Sequence, residues 1–135
     1  MLCLDTNVVI GVIGGRDTRI RARFNAAVMA NARIAISSIV VFELRYGIAK
    51  SNRAAASDRL LKQFLASIVD IAPFELEDAA HAGDIRAHLE RAGTPIGPYD
   101  LLIAAQARRR GATLVTGNKR EFLRVPGLKI DDWAA

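Results

Sequence analysis

The residues in this chain best suited to do chemistry are carboxylates placed where a fold can gather them. Asp5 closes the opening apolar run MLCL, Glu43 lies in ISSIVVFELRYGI, Asp100 in GPYDLL, and Asn118 and Glu121 in LVTGNKREF. Three or four carboxylates brought together repel one another unless a cation neutralises them. Mg²⁺ takes oxygen ligands, keeps several waters and is usually held by one or two carboxylates plus substrate phosphate. Such a site can activate water for in-line attack on a phosphodiester. The chain carries 19 Lys and Arg against 14 Asp and Glu, a formal net charge of +5. A basic chain with an acidic hole suits a polyanionic substrate, because Arg and Lys hold phosphates while a metal makes the hole attractive to them. The candidate phosphate contacts are Arg16, Arg19, Arg21 and Arg23, the run Arg108, Arg109 and Arg110, and Lys119 with Arg120.

Each of these acids also has a local role open to it. Asp5 and Thr6 can cap a following helix. With Gly97 as N-cap and Pro98 as N1, Asp100 is N3, where an acid favours the helix dipole. Asn118 and Glu121 fit a capping box with Asn in place of Ser or Thr. Glu43 is different: it borders the apolar arc Val40, Val41, Leu44, Gly47 and Ile48, with Arg45 on another side. Its carboxylate therefore needs a partner or an outlet to solvent. His81 and His88 stand two helical turns apart, too far for paired helical zinc ligands, and read as solvated or interfacial.

The elements that must position these residues alternate between strand and helix. Short apolar runs predict strands at 1–4, 34–36, 68–71, 112–115 and 128–130. Helices are predicted over 8–13, 19–32, 38–50, 54–66, 76–91 and 98–110, with one helical turn at 118–123 and Trp133 as a terminal anchor. This order specifies a three-layer α/β sandwich, a central parallel sheet of four to five strands flanked by helices. In such sheets ligands collect beyond the carboxyl ends of the strands, and Asp5, Asp100, Asn118 and Glu121 all stand at strand exits or helix starts. With 135 residues, 51% of them hydrophobic, one domain spanning 1–135 is expected. Cys3 is the lone cysteine, a buried thiol suited to a reducing cytoplasm. No signal peptide or membrane-spanning run is expected. The helix at 38–50 carries a second apolar strip, Phe42, Tyr46 and Ala49. Either this strip packs under the 54–66 helix, or the two helices form a groove in which Phe42 and Tyr46 anchor a partner.

Four blocks, LDTNVVI, ISSIVVFELRYGI, IGPYDLLIAAQARRRGATLVTGNKREF and VPGLKIDDW, occur in this order over nearly the whole chain. Together they resemble a VapC-type PIN-domain ribonuclease, the toxin of a type II toxin–antitoxin pair. Residues 14–32 and 50–92 match only in length and composition. The resemblance implies a PIN fold, Mg²⁺- or Mn²⁺-dependent endoribonuclease activity, homodimers and control by a cognate antitoxin, whose segment would enter the Phe42–Tyr46 groove. It makes Asp5 and Asp100 the metal-binding aspartates, Glu43 the middle acid, and Thr116 and Asn118 the polar pair after the fourth strand. Many PIN nucleases carry a fourth acid where this chain has Asn118, so either Glu121 supplies it or the site holds one metal. The mechanism expected is hydrolysis of single-stranded or looped RNA to 5′-phosphate and 3′-hydroxyl ends. A PIN-fold nucleic-acid-binding module without cleavage activity is the alternative, but retained acids gain nothing for pure binding. A receiver-like signalling domain also has an acidic Mg²⁺ pocket. It requires an aspartate ending the third strand, and this chain offers only Asp70 inside it.

Overall fold

The computed structural model describes residues 1–67 and 69–135. The elements run β1 (Leu2–Leu4), α1 (Thr6–Gly14), α2 (Thr18–Met29), β2 (Ile34–Ser37), α3 (Ser38–Ala49), α4 (Ala54–Leu65), β3 (Asp70–Ala72), α5 (Leu76–Arg91), α6 (Pro98–Arg109), β4 (Thr113–Val115), α7 (Lys119–Phe122) and β5 (Lys129–Asp131). The strands form one five-stranded sheet in the order β3-β2-β1-β4-β5, with every neighbouring pair parallel. Helices between parallel strands must cross over the sheet, which covers both faces and explains the uninterrupted apolar strands. Leu4, Ile34, Ile36, Leu114 and Val115 are fully buried, with Val9, Val40, Ile85, Leu89, Ala104 and Ala105 packed about them.

The sheet order decides where a site can form. From β1 the chain steps outward through β2 to β3, then returns to β4 on the other side of β1. The connections diverge between β1 and β4, leaving a crevice at their carboxyl ends. Receiver domains share the order 2-1-3-4-5, so the observed order removes that reading.

Several boundaries differ from the sequence expectation for identifiable reasons. Helix α1 starts at Thr6 rather than residue 8 because Asp5 caps it, accepting the Val8 N–H at 3.0 Å. It ends at Gly15, whose φ of 68° favours glycine. There the Arg21 guanidinium closes over the Val12 and Ile13 carbonyls, so close that a Cβ on Gly15 would stand 2.5 Å from it. Helix α2 stops at Met29, ahead of Asn31 in the left-handed region at φ 57°. Strand β3 begins at Asp70 and runs to Ala72, just before Pro73; residue 68 of the expected strand lies outside the described residues. The Trp133 indole is buried edge-on against Phe24, with ring centroids 6.5 Å apart. This contact fastens the C-terminal segment to α2. Among the described residues no helix is long and apolar enough to cross a membrane.

Candidate active site

The crevice between β1 and β4 is lined by the predicted acids. The Asp5 N–H donates to the Val115 carbonyl at 3.1 Å, placing its side chain over the end of β4. Asp5 is buried; Oδ1 accepts the capping N–H of Val8 and Oδ2 accepts the Thr116 hydroxyl. Thr116 leaves β4 fully buried, its N–H donating to the Asp131 carbonyl at 2.9 Å. Its hydroxyl oxygen accepts the Asn118 N–H at 3.0 Å. Burial pushes the Asp5 carboxyl up, the Thr116 and Val8 hydrogen bonds pull it back, and the Glu43 charge raises it further. Asp5 thus both caps α1 and lies within the field of Glu43.

Glu43 lies in the second turn of α3. Its partner is Thr6, whose hydroxyl donates to Oε1 at 2.7 Å, while Arg45 turns to Asp58 on α4. Asp100 sits at N3 of α6, behind the Gly97 cap and Pro98. Its carboxyl is pushed up to about 6, first by burial, then by a hydrogen bond with Glu121, then by the charges of Glu121, Glu43 and Asp5. Four carboxylates from β1, α3, α6 and α7 therefore share one field. The capping box expected at Asn118 and Glu121 does not form. Asn118 makes no side-chain cap on α7; instead its Nδ2 donates to Glu121 Oε2 at 3.0 Å. A four-residue helix exposes few amides to cap, and the amide is better used on a charged oxygen.

All donors here are oxygens or can present one: the four carboxylates, the Thr116 hydroxyl and the Asn118 amide. Hard oxygen sets of this kind fit Mg²⁺ or Mn²⁺ rather than soft metals; a divalent charge would relieve the acidic repulsion that adds to burial and the Glu121 hydrogen bond in raising Asp100 to about 6. Among the described residues no three acidic, His or Cys side chains are drawn to ligand spacing. Asp5 and Glu43 are engaged by Thr116, Val8 and Thr6, so a cation held by them would take the place of these hydroxyl bonds.

Two expectations about the surroundings are corrected. The run Arg108–Arg110 does not line the crevice. Arg108 bonds His81, Asp84 and the Pro126 carbonyl, and Arg109 and Arg110 pair with Glu75 and the fully buried Asp78. These arginines stitch α6 to α5, and His81 is interfacial as expected. Phe42 and Tyr46 neither pack under α4 nor line a groove with it. Both are exposed; Phe42 lies against Tyr99 and Tyr46 beneath the Lys50 ammonium. The groove is on the other side of α3, an apolar hollow of about 340 Å³ lined by Ile10, Ile13, Leu44, Ile48, Leu60 and Leu61, with Glu43 at its edge. The residues at 42 and 46 point away because they lie opposite the Val40–Leu44 arc that faces the core.

Two positioning residues were missed from sequence. Thr6 read as a capping neighbour of Asp5. Gln106, nearly inaccessible, donates to the Ala72 and Pro73 carbonyls at 3.1 and 3.2 Å and accepts from Ser37. It ties α6, and so Asp100, to the ends of β2 and β3. The available signal was one amide in the otherwise apolar stretch LLIAAQA.

Fold and crevice together define a class: a three-layer α/β protein with a shared carboxylate pocket at the switch point of a parallel sheet. Residues 2–128 match the PIN domain family. The chain is 43% identical to the tRNA(fMet)-specific endonuclease VapC of Salmonella typhimurium over 130 residues, covering 96% of each chain. It is 42% identical to Ribonuclease VapC2 of Haemophilus influenzae, again covering 96% of each. VapBC2 from Rickettsia felis, solved bound to a promoter DNA fragment, superposes with a TM-score of 0.91 at 37% identity, covering 98% of each chain. The chain belongs to the PIN-domain family, among its VapC members.

Proposed function

We propose that this chain is a metal-dependent endoribonuclease, one nuclease domain spanning 1–135, and the toxin of a toxin–antitoxin pair in a reducing cytoplasm. The observation that carries the reading is the convergence of Asp5, Glu43, Asp100 and Glu121 on the β1–β4 crevice, with Asp100 held at about 6 by burial and its acidic neighbours. Asp5 and Asp100 hold the cation, with Glu43 ligating it directly or through water. A bound Mg²⁺ or Mn²⁺ supplies an activated water and neutralises charge on the phosphate. Thr116 fixes the orientation of Asp5, and Thr6 fixes Glu43. Asn118 orients Glu121 and presents polar atoms to water or phosphate. Glu121 acts as the fourth acid. Neither histidine is placed to act as a base: His81 is bonded to Arg108 and His88 lies on the surface of α5.

A single-stranded or looped RNA is the substrate class, and tRNA(fMet) is the first RNA to try, given the name of the Salmonella relative. The VapBC assemblies among the solved relatives support a cognate antitoxin here, in a toxin–antitoxin hetero-oligomer or on a toxin homodimer. The α1–α3–α4 groove, apolar and bordered by Glu43, is the surface that suits its segment. The test is to free the protein from any partner and incubate it with RNA in Mg²⁺, then in EDTA. Cutting to 5′-phosphate and 3′-hydroxyl ends only in Mg²⁺ is expected; cutting that survives thorough chelation rejects the reading.

A further inference from the structure

Gly97 is the N-cap of α6, with φ −56° and ψ 146°, a backbone that any residue adopts. No side chain caps this helix, and Pro98 at N1 has no N–H. A serine at 97 would accept the N–H of Tyr99 or Asp100, so local rules favour it over glycine. Packing does not require glycine either. Among the described residues, chain neighbours aside, a Cβ on Gly97 would meet only Asp100, 3.4 Å from Oδ2 and 3.9 Å from Cγ. Those are ordinary contact distances for the carboxyl where it now stands. Backbone, cap and resting contact all leave the glycine unexplained, and what remains is the state in which Asp100 holds a cation. We propose that Gly97 is a positioning residue of the metal centre, whose missing side chain leaves the Asp100 carboxyl room to turn to the cation. This rests on the metal-dependent nuclease reading above.

The carboxyl has to move because the acids do not yet stand at ligand spacing among the described residues, and because Asp100 is hydrogen-bonded to Glu121. Its backbone lies in the first turn of α6. That helix is tied to the Ala72 and Pro73 carbonyls by Gln106, so Asp100 reaches a cation by rotating its side chain rather than by shifting the helix. A Cβ on Gly97 would stand against Oδ2 and Cγ together, and so would limit rotation of the carboxyl as a whole. It would also take space from the waters that Mg²⁺ keeps in such a site. A cap that suits the helix would thus obstruct the ligand, and glycine is the residue that serves both the fold and the site.

The test uses the full chain, freed from any partner, as wild type, Gly97→Ala and Gly97→Ser. Melting in EDTA reports the fold. Titration with Mn²⁺, followed by the ion's resonance signal, reports the site without any RNA present. Gly97→Ser should melt at or above wild type, because it gains a cap. It should nevertheless bind Mn²⁺ roughly 10–100-fold more weakly, the usual range for a residue that acts on a metal site from behind its ligands. Gly97→Ala should fold and show a loss of affinity in the same direction. In an Asp100→Asn background, read at raised Mn²⁺, adding Gly97→Ser should cost little more, since the ligand it obstructs is gone. Wild-type affinity in both Gly97 variants overturns the proposal while leaving the metal site standing. So does a loss of affinity that only tracks a loss of folded protein, which makes Gly97 a structural residue. So does a serine penalty that persists in full in the Asp100→Asn background. Wild type that binds no Mn²⁺ removes the metal-site reading, and the proposal with it.

Discussion

The buried Thr116 hydroxyl donates to Asp5 Oδ2 while accepting the Asn118 N–H, linking the ends of β1 and β4 through one oxygen. That hydroxyl is a main reason Asp5 is not raised further by its burial. Thr116→Val keeps the shape and removes both bonds. Leaving a buried carboxylate oxygen and an amide unpartnered should cost about 1–3 kcal/mol. The Asp5 carboxyl should also rise, moving the acidic limb of the cleavage profile to higher pH. Denaturant melts and pH–rate profiles of the pair measure both; an unmoved limb means Thr116 does not tune Asp5.

Asp100 gives a pH dependence whose sign is fixed. Its folded value is about 6, above the ordinary 3.8. Between these values the folded chain binds more protons than the unfolded one, so stability from this group falls as pH rises through that window and stays low above it. In EDTA, Asp100→Asn should therefore melt higher than wild type at pH 7.5, with the gap shrinking towards pH 4. A gap that widens on acidification contradicts the raised Asp100 carboxyl, whose first cause is burial.

Glu121 separates a site acid from a helix cap. With no capping box formed, Glu121→Ala should cost less than the roughly 1 kcal/mol of a lost cap. Cleavage should drop about 10–100-fold, the usual effect of removing a group that supports a metal site. Paired melts and cleavage rates decide it, and full activity with a clear loss of stability returns Glu121 to a structural role.

Much of this arrangement was legible because it is encoded locally. The Gly97-Pro98 start placed Asp100 at N3, and the strand–helix alternation placed Asp5 and Thr116 at one edge of a parallel sheet. What could not be read was long-range pairing. Nothing near Glu43 in sequence names Thr6 as its donor. A run of three arginines looks the same whether it meets RNA or α5. Phe42 and Tyr46 were correctly set opposite the core-facing arc, but which helix borders that side depends on packing angles that periodicity does not contain.

The arginine run gives its own check. Arg109 pairs with the fully buried Asp78 at 2.8 Å. Arg109→Ala should destabilise the fold by about 1–3 kcal/mol without changing RNA affinity per folded molecule. A strong loss of RNA binding in a stable variant would return this residue to the substrate surface.

The most direct measurement takes wild type and Asp5→Asn through Mn²⁺ binding, read by the metal's own resonance signal, and RNA cleavage in the same samples. Asp5 is placed as ligand, cap and partner of Thr116; in the amide the oxygen keeps the cap on Val8, and the NH2 meets the Thr116 oxygen as a donor where the carboxylate had accepted its hydroxyl. Wild type should bind Mn²⁺ and cut RNA, whereas Asp5→Asn should fold, bind the ion far more weakly and fail to cut. An Asp5→Asn protein that binds Mn²⁺ as wild type does and cuts RNA at the wild-type rate would contradict the assignment of the β1–β4 crevice as the metal-dependent nuclease centre.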